Sequence, residues 1–134
     1  MATIHHELRL TAHPDQVWDV VRDLGAVHRR FAPGFVTDTR LDGNERVVTF
    51  VNGVVVREAI VTVDDDRRRL AYAVVESPLR LRHHHASFEV VPRGGATSLL
   101  WTADVLPDEA AAGVAEFMNE GVRAIGAALG SPPG

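Results

Sequence analysis

Between Phe35 and Leu106, six successive runs alternate apolar with polar residues, and each is closed by a turn signal before it reaches helical length. The runs cover residues 35–41, 45–51, 54–63, 70–76, 81–91 and 97–106. Between them stand Asp42-Gly43-Asn44, Asn52-Gly53, the Asp64–Arg69 charge run, Ser77-Pro78 and Arg93-Gly94-Gly95. A period near two predicts strands, and such short connections force sequential neighbours to pair antiparallel. A seventh strand precedes them, because residues 3–10 set Ile4, His6, Leu8 and Leu10 against Thr3, His5, Glu7 and Arg9. One seven-stranded antiparallel sheet follows, with one face requiring an apolar cover.

Only one segment is long enough to be that cover. From Pro107 to about Leu129 the apolar positions Val114, Phe117, Met118, Gly121, Val122, Ile125 and Leu129 form one helical stripe, with Asp108 and Glu109 at the positive end. Such a helix is about 33 Å long. Two shorter helices are predicted between strands one and two. The first runs from Pro14 to about Asp23 with Val17, Trp18, Val20 and Val21 on its apolar side, and Gly25 follows its end. The second spans residues 26–31 and is stopped by Ala32-Pro33-Gly34. The fold class is therefore α+β, a single domain over residues 1–134 with 130–134 expected to be a frayed tail. A sheet bent around one helix leaves a space between them.

The composition removes several chemistries. There is no cysteine, so disulfides, thiolate metal sites and a Cys nucleophile are excluded. All 14 basic residues are Arg, which removes lysine Schiff-base chemistry and a phosphate-loop lysine. A net charge of -4 provides no footprint for nucleic acid, and the dense run Arg67-Arg68-Arg69 follows Asp64-Asp65-Asp66, reading as a solvated turn whose charges cancel. No run is long and apolar enough for a membrane span and the N-terminus carries no signal-like stretch, so a cytoplasmic protein is expected. The run His83-His84-His85 is no metal set, since on a strand only His83 and His85 share a face and no nearby carboxylate in sequence completes it. Neither metal nor cofactor is expected. No Ser-His-Asp order, Gly-rich phosphate loop or His-Glu-x-x-His motif is present.

Five features together resemble a known family. They are the order of elements, Val17-Trp18 in the first helix, Phe31-Ala32-Pro33 after the second, the Tyr72 strand running into Glu76-Ser77-Pro78-Leu79, and Leu99-Leu100-Trp101. The chain resembles the helix-grip superfamily, and within it the bacterial polyketide cyclase/dehydrase-like branch (START-like, SRPBCC group), from Ile4 to Leu129. That resemblance implies a helix-grip fold, a curved seven-stranded sheet around the long C-terminal helix, with a deep apolar cavity that takes lipids, polyketides, hormones or similar molecules. Members often carry Trp-His-Pro where this chain has Phe31-Ala32-Pro33, so any role of that His is not carried over.

Alternation then nominates the side chains facing the cavity. Ala86, Phe88 and Val90 set an inner parity that His84 shares, and a buried His has a pKa that can move through neutrality, suiting it to acid/base work. Leu70, Tyr72, Val74 and Glu76 share a parity that the resemblance places inward. Glu58 shares the parity of Val54, Val56 and Ile60, and is a candidate base or half of an ion pair with Arg46. Trp101 and Phe50 face in from the sheet. Phe31, Phe117, Met118, Gly121 and Ile125 close the space from the helical side. Gly113, Gly121 and Gly126 each cost a helix about 1 kcal/mol relative to Ala, so the space there is needed either for a ligand or for close approach of the sheet.

The expected function is binding of a small hydrophobic or aromatic molecule, by a monomer or homodimer. Two alternatives accompany it. One is a polyketide cyclase or dehydratase with His84 or Glu58 as base and Tyr72 as acid. The other is a protein-interaction domain of the chaperone-activator type, which an exposed apolar patch outside the cavity mouth would favour.

Overall fold

A computed structural model describes residues 1–131. In chain order it contains β1 (Ala2–Leu10), α1 (Pro14–Val21), a π-helical turn (Val27–Phe31), β2 (Val36–Asp42), β3 (Glu45–Phe50), β4 (Val55–Asp64), β5 (Arg69–Glu76), β6 (His83–Arg93), β7 (Ala96–Leu106), a 3₁₀ turn (Asp108–Ala110) and α2 (Ala111–Leu129). The seven strands form one antiparallel sheet in the order β1-β7-β6-β5-β4-β3-β2. Its inner face packs on α1, the π-helical turn and α2, with Leu8, Leu70, Phe88, Leu99 and Val105 of the sheet in one core with Val17, Val21 and Ile125 of the helices. This is the helix-grip architecture. No helix among the described residues is long and apolar enough to cross a membrane.

Local chemistry accounts for the element ends. His13 caps α1 in both directions: its Nδ1 accepts the Asp15 N–H and its own N–H donates to Gln16 Oε1, each at 3.2 Å. At the β3–β4 turn, Gly53 adopts φ +88°, a conformation glycine reaches without steric cost, and Asn52 Oδ1 accepts the Val54 N–H at 3.1 Å.

Four details differ from the sequence reading. The predicted second helix over 26–31 is a widened π-helical turn in which the Ala32 N–H reaches Val27 O at 2.8 Å, and this tips Phe31 onto Phe88 with ring centroids 5.0 Å apart. The long C-terminal helix begins as a 3₁₀ turn, because Ala110 at its N-cap offers no side-chain acceptor. The Asp64–Arg69 run is more than a solvated turn. Asp65 accepts from Trp18 Nε1 and Arg22 Nε at 2.9 Å each, and Arg68 pairs with Asp15, so this turn is pinned to α1. Finally, the tail expected to fray from Gly130 falls mostly outside the described residues, since 132–134 are not among them, while Gly130 itself is held: its carbonyl accepts the Thr11 N–H at 2.8 Å.

Two irregularities in the β4–β5 ladder shape the inner face. Glu58 stands opposite Val74 and Arg57 opposite Glu76, leaving Val75 as an extra residue, and Ile60 and Thr62 stand opposite Tyr72 and Ala71, leaving Val61 extra. Each bulge bends the sheet and resets the alternation beyond it. The β5–β6 ladder, meanwhile, ends at Tyr72 opposite Ala86, so the two strands separate towards the loop that joins them.

Candidate functional site

The separation of β5 from β6 opens a cavity of about 160 Å³ between sheet and α2. Phe50, Val56, Tyr72, His84 and Trp101 line it from the strands, and Val114, Phe117 and Met118 from α2. Ser77, Pro78, Leu79 and Leu81 of the β5–β6 loop complete the wall. A smaller chamber of about 50 Å³ lies beside it, lined by Phe31, Arg46, Gly121 and Ile125 among others. Phe35, Phe50, Glu58, Tyr72 and Trp101 line both chambers.

Aromatic packing holds this wall. Phe35, Phe50 and Phe117 form a triangle with ring centroids 4.9, 5.4 and 4.7 Å apart, edges meeting faces. Trp101 stacks on Phe88 at 4.7 Å, and its ring lies against the backbone of Gly121, where a Cβ would come within 2.9 Å of it. That resolves the two readings of this glycine, because the space left by its missing side chain is occupied by Trp101.

The polar groups form two sets. Arg46 Nε donates to Glu58 Oε1 at 2.7 Å, with the side chains only 5% and 10% exposed, and the guanidinium carbon stands 5.6 Å from the Tyr72 ring centroid. A carboxylate this buried keeps its charge at tolerable cost only beside such a partner. Trp101 Nε1 donates to the Tyr72 hydroxyl at 3.0 Å. Burial, and then the negative charge of Glu58, push the Tyr72 phenol above its ordinary range, so it stays protonated at any physiological pH.

His84 sits where the ladder has parted. Its Nδ1 accepts the Val74 N–H at 3.0 Å, so the imidazole replaces the strand acceptor that β6 no longer provides. A ring nitrogen that accepts from a backbone amide carries no proton, so the neutral ring holds its proton on Nε2. Burial, reinforced by His85 and His83, lowers the His84 pKa to about 4. At neutral pH the pair Tyr72 and His84, with ring centroids 5.8 Å apart, therefore offers two uncharged donors and no base.

Of the residues nominated from sequence, Phe50, Tyr72, His84, Trp101, Phe117 and Met118 meet at the main chamber, and Phe31, Gly121 and Ile125 at the smaller one. Glu58 lies at both, paired with Arg46. Glu76 does not reach either. The bulge at Val75 turns it to the outer face, where it is 79% exposed and 3.6 Å from Arg57 Nε. Phe35, Leu79, Leu81 and Val114 were not nominated. Phe35 opens the run 35–41, but Thr37 and Thr39 share its parity and mark no apolar face, although an aromatic beside Phe50 on the neighbouring strand was the available signal. Among the described residues, no three His, Asp or Glu side chains converge in a metal-binding arrangement.

The fold has close counterparts among solved structures. The protein XoxI from Bacillus cereus superposes with a TM-score of 0.85 at 18% identity, covering 96% of both chains. Ginseng major latex-like protein 151 from Panax ginseng gives 0.74 at 16% identity, over 96% of this chain and 97% of that one. Norcoclaurine synthase from Thalictrum flavum, in complex with dopamine and hydroxybenzaldehyde, gives 0.64 at 21% identity over 90% and 83%. These likenesses concern the fold. No curated protein matches the sequence closely enough to mark a relative. The family model for polyketide cyclase / dehydrase and lipid transport matches residues 1–130. With its helix-grip fold, its cavity between sheet and α2, and a match over nearly all its length, the chain belongs to the polyketide cyclase / dehydrase and lipid transport family.

Proposed function

We propose that the protein binds a small hydrophobic or aromatic molecule in the chamber between sheet and α2. The observation that carries this reading is the chamber itself, walled by Phe35, Phe50, Tyr72, Trp101, Phe117 and aliphatic groups, whose one charged lining residue, Glu58, is neutralised by Arg46. Apolar pockets with a few placed polar groups are the usual form of a small-molecule site. The family's description includes lipid transport, and norcoclaurine synthase, which shares the fold, holds aromatic ligands.

The cyclase or dehydratase reading needs a base within the chamber, and both candidates are engaged: Glu58 by Arg46, and His84 Nδ1 by the Val74 N–H. The interaction-domain reading draws on the exposed Val55, Val61 and Val63 of β4 and Val75 of β5. Binding is tested with an uncharged naphthylamine dye, whose fluorescence should rise with micromolar affinity and fall again when small aromatic compounds compete. A folded protein that takes up neither dye nor competitor ends this reading.

A further inference from the structure

The polar lining of the chamber specifies more than apolarity. We propose that its occupant is an uncharged, single-ring aromatic molecule with a carbonyl oxygen, and that this oxygen accepts from the Tyr72 hydroxyl and from His84 Nε2. The inference rests on the ligand reading above and narrows it to one chemical class.

Size comes first. The chamber volume of about 160 Å³ is close to that of an engineered cavity of about 150 Å³ that takes up benzene. One ring with a short substituent fills it. A long acyl chain or a fused polycycle would have to project between the β5–β6 loop and α2. The triangle of Phe35, Phe50 and Phe117 favours a ring over an alkyl group, since aromatic pairs gain from edge-to-face contact beyond the area they bury.

The hydrogen-bonding census then fixes the polarity of the ligand. The Trp101 N–H is engaged by the Tyr72 oxygen, which leaves the phenol its proton to donate. The His84 Nδ1 lone pair is engaged by Val74, which leaves Nε2 its proton. Ser77 is turned on its own loop, donating to Leu79 O at 3.0 Å and accepting the Leu79 N–H at 3.1 Å. Glu58 gives its Oε1 to Arg46. The lining thus offers two neutral donors, the Tyr72 hydroxyl and His84 Nε2. A carbonyl oxygen has two lone pairs and no proton, and so it can accept from both donors at once. Arg46 and Glu58 cancel one another and His84 is neutral, so no net charge is present to hold an ion.

The test compares four compounds by titration calorimetry on the whole protein: acetophenone, ethylbenzene of the same shape without the oxygen, cyclohexyl methyl ketone and decanoate. Acetophenone should bind about tenfold to a hundredfold more tightly than ethylbenzene, the range expected for two hydrogen bonds formed out of water. It should also bind more tightly than the other two. The infrared carbonyl stretch of bound acetophenone should lie below its frequency in hexane. In Tyr72→Phe, part of that shift should be lost and acetophenone should weaken, while ethylbenzene binds as before. A carbonyl stretch at the hexane position overturns the inference even if the variant fails to fold. Equal affinities for acetophenone and ethylbenzene, or a preference for decanoate, overturn it while leaving the ligand reading standing. Uptake of none of the compounds, nor of the dye, overturns both.

Discussion

At the scale of single residues, His84 and the Arg46–Glu58 pair make opposite demands on solvent. His84 has a folded pKa of about 4, lowered by burial and by its neighbours His85 and His83, whereas in the unfolded chain it titrates near its ordinary value of 6.5. Between those two values the unfolded state binds more protons than the native state. Stability therefore falls as pH drops through that window, and this contribution is complete above it. The loss should approach about 3 kcal/mol over the full window. His84→Gln should flatten the decline in melting temperature between about pH 6.5 and 4, whereas His83→Gln, which removes only the smaller influence of a neighbouring ring, should leave most of it in place. A titration by NMR that gives His84 an ordinary pKa would remove the burial argument. For the ion pair, Glu58→Gln leaves the Arg46 guanidinium buried beside an uncharged amide, and urea unfolding should show a loss of about 3 to 5 kcal/mol. Replacing both partners at once, Arg46→Met with Glu58→Leu, should recover most of it, because two desolvated charges are removed together.

At the scale of elements, two glycines on α2 separate its two contacts. A Cβ on Gly121 would stand 2.9 Å from the Trp101 ring and 3.3 Å from Phe35, whereas a Cβ on Gly113 meets only the Leu79 side chain at 4.0 Å. Either substitution by Ala gains the helix about 1 kcal/mol. At Gly121 that gain should be outweighed by an overpacking cost of about 1 to 3 kcal/mol. Trp101 cannot recede easily, being stacked on Phe88 and bonded to the Tyr72 hydroxyl. Thermal melts should therefore move in opposite directions, up for Gly113→Ala and down for Gly121→Ala, with Trp101→Phe relieving the second. Parallel shifts would mean that the sheet yields to the helix. The strands show how far alternation reaches. It placed His84 and Trp101 inward because the β6–β7 ladder that holds both is unbroken, and it misplaced Glu76 because the bulge at Val75 adds a residue that no local pattern announces.

At the scale of the whole molecule, the chamber couples ligand uptake to stability. A ligand at one hundred times its dissociation constant should add about 2.7 kcal/mol, a rise on the order of 10 °C in melting temperature. Ala103→Leu, which projects into the same chamber from β7, should abolish that rise without lowering the melting temperature of the free protein. A liganded shift that survives this substitution would place the ligand elsewhere. The sequence by itself determined the element order, the antiparallel pairing of neighbours and the need for one long covering helix, because periodicity, turn residues and segment length are local properties. It also determined that lysine and thiol chemistry are absent. The tertiary structure alone decided the rest: that β5 parts from β6 after Tyr72 so that His84 takes the Val74 amide, that Trp101 fills the notch at Gly121, and how much space remains. The physical reason is that a bulge, a parted ladder and a cavity volume each arise from pairing and packing between segments distant in the chain, and no single strand or helix encodes them.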